Sequence, residues 1–269
     1  MSASHFKRVR PPAVAGMFYP ASAGELRELV QFSLAGGMRF GAHPAGIKAL
    51  VLPHAGLVYS GPVAGTGYLQ LEPERDTVRR IILLGPSHRV AFAGLALSEA
   101  TAFATPLGEV PVDAVGVDAV RGLPGVSTME AAHAREHSLE VHLPFLQTVL
   151  GHFAVVPLVV GDATEAEVSA VLERLWGGPE TCIVVSSDLS HYHEYSVAHR
   201  LDRETAGRIE SLQAVTTDQA CGAHPLNGLL RAARHHQLTA RTLDLRNSGD
   251  TAGNRSRVVG YGAFALSGH

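Results

Sequence analysis

Residues 80–88 read RIILLGPSH, an apolar run that a Gly-Pro pair ends and a histidine follows. A short run of isoleucine and leucine is typical of a buried strand. The same pattern occurs at 47–56, where IKALVLPHAG places His54, and at 182–191, where CIVVSSDLSH places Asp188 and His191. The carboxyl ends of parallel strands meet at one edge of a sheet, where loops carry functional side chains. The sequence therefore predicts a parallel sheet with polar residues along one edge.

Apolar runs that we interpret as strands alternate with helical patterns along the chain. Strands are predicted at Ile47–Leu52, Arg80–Leu84, Phe153–Val160, Thr181–Val185, Thr239–Leu245 and Arg257–Leu266. Helices are predicted at Ala23–Leu34, Leu139–Leu150, Glu165–Trp176, Val197–Leu212 and Pro225–His236. This alternation indicates a mostly parallel mixed sheet covered on both faces, with antiparallel strands added late in the chain. We therefore expect a three-layer α/β/α fold.

Two of the predicted helices begin with the capping-box pattern. Ser22 with Glu25 and Thr164 with Glu167 have the spacing at which each side chain satisfies a free amide of the first turn. We expect both boxes to form.

Composition favours a globular protein and excludes several classes of partner. The 269 residues, 46% hydrophobic and 17% charged, suit one domain over 1–269. The net charge of −3 comes from interspersed acids and bases, so nucleic acid is not an expected partner. The amino terminus lacks the apolar core of a signal peptide, and no apolar run is long enough to span a membrane. We expect a cytoplasmic protein with no membrane partner.

The histidine and cysteine content points to the chemistry. The chain has 15 histidines and 2 cysteines, Cys182 and Cys221, and in the cytoplasm we expect both thiols to be free. Neutral imidazole is the commonest protein metal ligand. If the strands before His54 and His88 are neighbours, as successive strands usually are, the two imidazoles meet and form the start of a metal site. The alternative is a pair of histidines hydrogen-bonded in turns.

The third strand end carries a carboxylate before its histidine. Asp188 precedes His191 by three residues, a spacing that would let the carboxylate orient the imidazole or accept its proton. The alternative is a capping aspartate beside a surface histidine.

Residues 136–145, EHSLEVHLPF, open a predicted helix with Glu136 and Glu140 on one face. His137 and His142 are five apart, so the segment is not the zinc-protease motif, whose histidines are four apart. Glu136, His137 and His142 are candidates for orienting a ligand or contacting a substrate. An exposed, charged first turn is the alternative.

Residues 221–225, CGAHP, precede another predicted helix. A cysteine near a helix amino terminus has its thiolate favoured by the helix dipole, which suits either a nucleophile or a soft metal ligand. His224 lies beside it as a further candidate for substrate contact. The alternative is an inert buried cysteine. The glycine-rich loop at 247–254 lacks phosphate-loop spacing, and we interpret it as a turn at the edge of the cleft.

Six motifs in this order resemble the Memo family over nearly the whole chain. They are AGMFYP at 15–20, PHAG at 53–56, GPSH at 85–88, EHSLEVHLPF at 136–145, SSDLSH at 186–191 and CGAHP at 221–225. The bacterial and archaeal branch, AmmeMemoRadiSam system protein B, is associated with a radical-SAM protein and a third small protein. The resemblance thus implies a radical-SAM partner and a shared redox task.

The Memo family is in turn similar to the class III extradiol dioxygenases, which implies that fold for this chain. The resemblance also implies metal ligands at His54, His88 and Cys221, with His191 as the acid/base residue and Asp188 beside it. The dioxygenases use two histidines and a carboxylate, whereas the matching third ligand here is a thiol, a difference that argues against ring cleavage. Thiolate is softer than carboxylate and favours copper(I), zinc or a more covalent iron site.

Four functions are consistent with these residues. The leading hypothesis is a mononuclear Fe(II) or copper redox protein, oxygenase-like, acting on an unidentified small molecule. The second is zinc-dependent hydrolysis with His191 or Asp188 as base. The third is a non-catalytic protein that uses the cleft to bind peptides or partner proteins. The fourth is a cysteine hydrolase that pairs Cys221 with His224 or His191.

Overall fold

The computed structural model describes residues 8–39 and 46–268. The expectation that no signal peptide precedes the domain rests partly on residues 1–7, which lie outside this part of the chain. The strands are β1 (Val9–Arg10), β2 (Ala49–Leu52), β3 (Arg80–Pro86), β4 (Leu95–Leu97), β5 (Ala102–Thr105), β6 (Gly108–Pro111), β7 (Val126–Thr128), β8 (Ala154–Val160), β9 (Thr181–Ser186), β10 (His191–His193), β11 (Thr239–Asn247) and β12 (Val258–Ser267). The helices are α1 (Ala23–Ala35), α2 (Leu57–Leu69), α3 (Ala114–Val120), α4 (Glu130–Ala134), α5 (Leu143–Val149), α6 (Glu165–Leu175), α7 (Tyr195–Glu210) and α8 (Ala223–His235).

Four parallel strands form the centre of the main sheet, in the order β2, β9, β3, β8. Nearly every residue of these strands is buried, as expected for strands covered on both faces. The expectation that β2 and β3 are neighbours is wrong, because β9 pairs with both and lies between them. Strand β9 lies at the middle of the sheet although it comes late in the chain, and all of its residues are buried.

Antiparallel strands extend the sheet at both sides. On one side β12 pairs with β2, and both β10 and β11 pair with β12. On the other side β4 runs antiparallel to β8 and parallel to β7. The described residues also contain a separate three-stranded sheet in the order β1, β5, β6. The mostly parallel mixed sheet predicted from the sequence is confirmed in its centre and in its late antiparallel additions.

Helices cover both faces of the main sheet and bury one apolar core on each. One core joins alternate strand residues to α1, α2 and α5, and the other joins the intervening strand residues to α3, α6, α7 and α8. Burying apolar surface on both faces is the main stabilising contribution of such a layered domain. The three-layer α/β/α fold is confirmed.

Two local predictions have different outcomes. The capping box at Thr164 and Glu167 forms, whereas Ser22 makes no side-chain hydrogen bond to the start of α1, so that prediction is wrong. The helix predicted at Leu139–Leu150 is shorter, with a 3-10 turn at Glu140–His142 before α5.

Helix α2 is absent from the sequence-based prediction. It contains Pro62 and several glycines, all of which have low helix propensity. A Cβ on Gly65 would lie 2.3 Å from the carbonyl oxygen of Ser33, so this glycine permits the close approach of α2 to α1. Packing between helices therefore outweighs local propensity here.

Cys182 and Cys221 are both free, as expected. Across the residues that the structure describes, we find no helix with the length and apolarity needed to cross a membrane.

Candidate functional site

Three side chains with metal-binding atoms converge at the carboxyl-terminal edge of the sheet. His54 lies two residues after β2, His88 two residues after β3, and Cys221 two residues before α8. One ligand atom from each lies within 4.8 Å of those of the other two. The three candidate ligands predicted from the sequence are thus brought together, although β9 separates the two histidine-bearing strands.

Asp188, at the end of β9, holds these loops in place. Its Oδ1 accepts a hydrogen bond from the His54 amide at 2.8 Å, and its carbonyl accepts one from the Cys221 amide at 3.2 Å. Burial raises the pKa of the Asp188 carboxyl to about 7, while the hydrogen bond from the His54 amide lowers it. Asp188 therefore connects the His54 and Cys221 loops across β9.

The tautomer of His54 follows from its contact with Ser186. The Ser186 hydroxyl donates to the Ser138 carbonyl at 2.6 Å, and His54 Nδ1 lies 2.6 Å from the same Oγ. Because a hydroxyl has a single proton to donate, Oγ accepts from Nδ1–H. The His54 lone pair is then on Nε2, which lies 3.3 Å from Cys221 Sγ. Ser186, to which the sequence assigned no role, thus orients a candidate ligand.

Glu136 orients the second histidine. Its carboxylate accepts from His88 Nδ1 at 2.9 Å and from the amides of His88 at 2.6 Å, His137 at 2.9 Å and Ser138 at 3.0 Å. Burial alone would raise its pKa, yet the hydrogen bonds from His88 and Ser138, with the charge of His88, lower the value to about 2. A carboxylate on Nδ1–H leaves Nε2 free to bind a metal, an arrangement common in metalloproteins.

Glu140 contacts a different partner from Glu136. Its side chain is fully buried and pairs with buried Arg10 at 2.6 Å, and it accepts from the Tyr19 hydroxyl at 2.5 Å. Arg10 also donates to the Glu136 carbonyl at 2.6 Å. The expectation that the two glutamates share a helix face is wrong, since they lie on an irregular loop and a 3-10 turn. The alternative of an exposed first turn is also wrong, because both are buried.

Arg10 was not among the residues singled out from the sequence. An arginine in a short amino-terminal strand resembles any surface cation until its distant partner is known. The buried pair ties residues 10–19 to the loop that carries Glu136.

Cys221 is partly buried at the start of the segment that leads into α8. Burial, with the charge of Asp188, raises its pKa to about 12. Burial thus opposes the effect that the helix dipole was expected to have on this thiol, and the roles of nucleophile and soft metal ligand stay predictions. A thiol that is protonated at neutral pH is a poor nucleophile, which counts against the cysteine hydrolase.

His137 packs among the candidate ligands. Its ring stacks on His88 with centroids 4.6 Å apart, meets His54 edge-on at 5.3 Å and contacts Phe18 at 4.6 Å. Burial lowers its pKa to about 4. Its Nδ1 lies 3.2 Å from Glu136 Oε1 without hydrogen-bond alignment, so this buried nitrogen has no partner in the described chain.

His142 lies deeper in the protein. Its Nδ1 is 2.9 Å from the Tyr68 hydroxyl, its Nε2 is buried without a partner, and burial lowers its pKa to about 3. This geometry gives His142 a packing role, and contact with a substrate stays a prediction.

His191 is located on β10 and is partly exposed. Burial lowers its pKa, and the hydrogen bond to the Leu189 backbone opposes this shift. Among the described residues no hydrogen bond joins Asp188 to His191, and Asp188 Oδ1 accepts from the His54 amide. That Asp188 orients His191 or accepts its proton stays a prediction.

The remaining candidates lie apart from this group. His224 Nδ1 is 2.8 Å from the Ala163 carbonyl, and its predicted substrate contact stays a prediction. The loop at 247–254 contains a 3-10 turn at Ser248–Asp250, which Asn247 and Asp250 cap as a reciprocal box.

The donor set fits one transition-metal ion. A thiolate and two imidazoles suit copper, zinc or iron, whereas magnesium and calcium prefer oxygen. The observed 3.3 Å between His54 Nε2 and Cys221 Sγ is near the roughly 3.5 Å expected for two ligands of one tetrahedral ion. Three protein ligands leave a coordination position open, as catalytic sites do.

Comparisons with known proteins identify relatives over nearly the full chain. A family model described as "Memo-like protein" matches residues 10–265. A MEMO1 family protein from Methanothermobacter thermautotrophicus is 33% identical, covering 94% of this chain and 98% of the relative. MEMO1 family proteins from Aquifex aeolicus and Methanosarcina acetivorans are each 35% identical, covering 94% and 96% of this chain and 97% and 99% of the relatives.

Proposed function

The chain belongs to the Memo-like protein family, and from that premise we propose that it is a metal-dependent redox protein in which His54, His88 and Cys221 hold one iron or copper ion. The observation that carries the proposal is the convergence of the three ligand atoms within 4.8 Å. Both imidazoles have Nδ1 already engaged, so each presents a lone pair on Nε2.

The coordination position that three protein ligands leave open favours a catalytic or redox metal over a structural one. When bound, iron or copper would supply electron-transfer chemistry and an open position for a small molecule. Zinc also fits the donor set and would support hydrolysis instead. Metal binding must displace the Cys221 proton, whose pKa is about 12 without metal, so binding should release a proton and strengthen with pH.

The other residues orient the ligands and move protons. Glu136 and Ser186 hold the two imidazoles in one tautomer, and Asp188 fixes the loops that bear His54 and Cys221. His191 has a lowered pKa and is therefore neutral at pH 7, so its imidazole is able to accept a proton from a bound small molecule. The substrate class proposed here is an oxidisable small molecule.

A cytoplasmic location and a radical-SAM partner also form part of the proposal. Both are implied by the resemblance of the six sequence motifs, and co-purification of a radical-SAM protein with this chain would test the partnership.

Anaerobic titration with Fe(II), Cu(I) and Zn(II) tests the proposal. Wild type and Cys182→Ala should each bind one equivalent of iron or copper, whereas Cys221→Ala should lose tight binding. Cys182 is the matched control because it is a free, buried cysteine on β9. Failure of wild type to bind either metal, or equally tight binding by Cys221→Ala, would overturn the proposal. Zinc-dependent, oxygen-independent hydrolysis would select the hydrolase.

A further inference from the structure

A cavity of about 740 Å³ is lined by residues that are next in the chain to His88 and Glu136 of the proposed metal site. Most of its lining is apolar, and two arginines contribute the charge. The lining includes Val14, Met17, Val90, Ala134, Arg89 and Arg135. A cavity of this size accommodates a small organic molecule.

Three of the lining residues are chain neighbours of the metal centre. Arg89 follows His88, Arg135 precedes Glu136, and Met17 precedes Phe18, whose ring contacts His137 at 4.6 Å. The charge of Arg89 also reaches the centre, since it lowers the pKa of His137. The loops that line the cavity are therefore the same loops that carry His88 and Glu136.

The two arginines are exposed and make no ion pair or hydrogen bond with any described residue. No acid lines the cavity, and nearby acids are engaged elsewhere: Glu136 accepts from His88, Glu140 pairs with Arg10, and Glu130 accepts from Ser98. Elsewhere on the surface, Arg231 and Arg234 lie near Glu165. The positive charge in the cavity is therefore uncompensated.

We propose that this cavity binds an organic oxyanion, a carboxylate or a phosphate carried on a short apolar body, and that it is the substrate subsite of the metal centre. A guanidinium is always charged and binds both head groups through paired N–H donors. Met17 is 72% exposed and, with Val90 and the alanines, provides an apolar surface for the body. The assignment as a substrate subsite rests on the proposed metal-dependent function, whereas the binding of an oxyanion does not.

The test uses four probes with one six-carbon body: hexanoate, hexyl phosphate, hexanol and hexylamine. Binding to chelator-treated protein is measured by ligand-observed NMR and calorimetry. At least one of the two oxyanions should bind. Hexanol should bind about tenfold more weakly than that oxyanion, and hexylamine should not bind. The tighter oxyanion identifies the head group.

Matched variants locate the binding. Arg89→Gln and Arg135→Gln should each weaken oxyanion binding about tenfold, whereas Arg27→Gln removes an exposed charge on α1 and should leave binding unchanged. Ala134→Glu should weaken oxyanion binding further, because the new carboxylate repels the oxyanion. Ala170→Glu, on the exposed face of α6, is the control and should leave oxyanion binding unchanged.

Equal binding of hexanol and the oxyanions, or wild-type binding by both glutamine variants, would overturn the proposal. Because these measurements use metal-free protein, their failure is distinguishable from failure of the metal titration.

Discussion

Three clusters in the described chain bring three potential metal ligands within 4.8 Å of one another, and two of these share His88. The two clusters that share no residue are held in different ways. One is His54, His88 and Cys221 at the carboxyl-terminal edge of the sheet. The other is Glu173, His235 and His236, where α6 packs against the end of α8. In the second cluster the His236 ring stacks on Trp176 with centroids 3.7 Å apart, and its Nε2 already lies 2.8 Å from Glu173 Oε2.

The difference shows that distance alone does not make a metal site. At the sheet edge, Ser186 and Glu136 occupy each Nδ1 and leave each Nε2 with a lone pair. In the second cluster Glu173 and His235 are exposed, and Arg231 and Arg234 line the adjacent cavity. Orientation of both imidazoles by neighbouring residues therefore favours a metal ion at the first cluster rather than at the second.

The largest expected effect comes from removing a ligand. His54→Ala or His88→Ala should abolish binding of one equivalent of metal, because two remaining ligands hold an ion far less tightly than three. His235→Ala and His236→Ala should bind as wild type does. Calorimetric titration with Cu(I) or Fe(II) measures both. If His235→Ala lost the binding of one equivalent of metal and His54→Ala kept it, the metal site would have to be assigned to the second cluster.

The buried and exposed histidines should also differ in their effect on stability. Burial lowers the pKa of His133 from 6.5 to about 4. Between these pH values the His133 side chain is therefore protonated in the unfolded chain but neutral in the folded protein. The free energy of unfolding should therefore fall as pH falls from about 6.5 to about 4, by about 3 kcal/mol for His133 at 1.36 kcal/mol per pKa unit.

Urea unfolding of chelator-treated protein at about pH 7.5 and about pH 5 measures this loss. His133→Gln should lose about 2 kcal/mol less than wild type between these two pH values. His235→Gln should follow wild type, since its ring lies in solvent. Equal losses in all three proteins would show that His133 does not contribute.

A smaller effect is expected from the residues that orient the ligands. In Glu136, Oε1 accepts from three N–H groups and Oε2 accepts from the His88 amide. Glu136→Gln keeps one of these acceptor oxygens but loses the other and the negative charge. Metal affinity should fall by roughly ten- to a hundredfold, the usual loss when such a partner is changed. Glu173→Gln is the matched control and should have no effect. Wild-type affinity in Glu136→Gln would mean that His88 needs no such partner.

The candidate ligands can be predicted from the sequence, whereas the strand order and the residues that orient the ligands cannot. Strand ends reveal His54, His88 and Asp188, because an apolar run that stops at proline or serine is a local pattern. The position of β9 between β2 and β3 is a long-range choice that no local pattern encodes. Ser186 is one serine among several until its contacts with His54 and the Ser138 carbonyl are known.

The fold shows the same division. The alternation of strands and helices predicts the three layers. Helix α2 is not predicted, because Pro62 and its glycines have low helix propensity, although Gly65 permits close packing against α1. The raised pKa of the Cys221 thiol also cannot be predicted from the sequence. The neighbouring residues indicate only that a helix begins nearby, whereas the burial that raises the pKa depends on the fold.

The most direct test of the account is X-ray absorption at the metal edge of protein loaded with one equivalent of iron or copper. The account predicts one sulfur ligand at about 2.3 Å and imidazole nitrogens at about 2.0 Å, with the sulfur lost in Cys221→Ala and kept in Cys182→Ala. A spectrum of wild type with only nitrogen and oxygen ligands would contradict it.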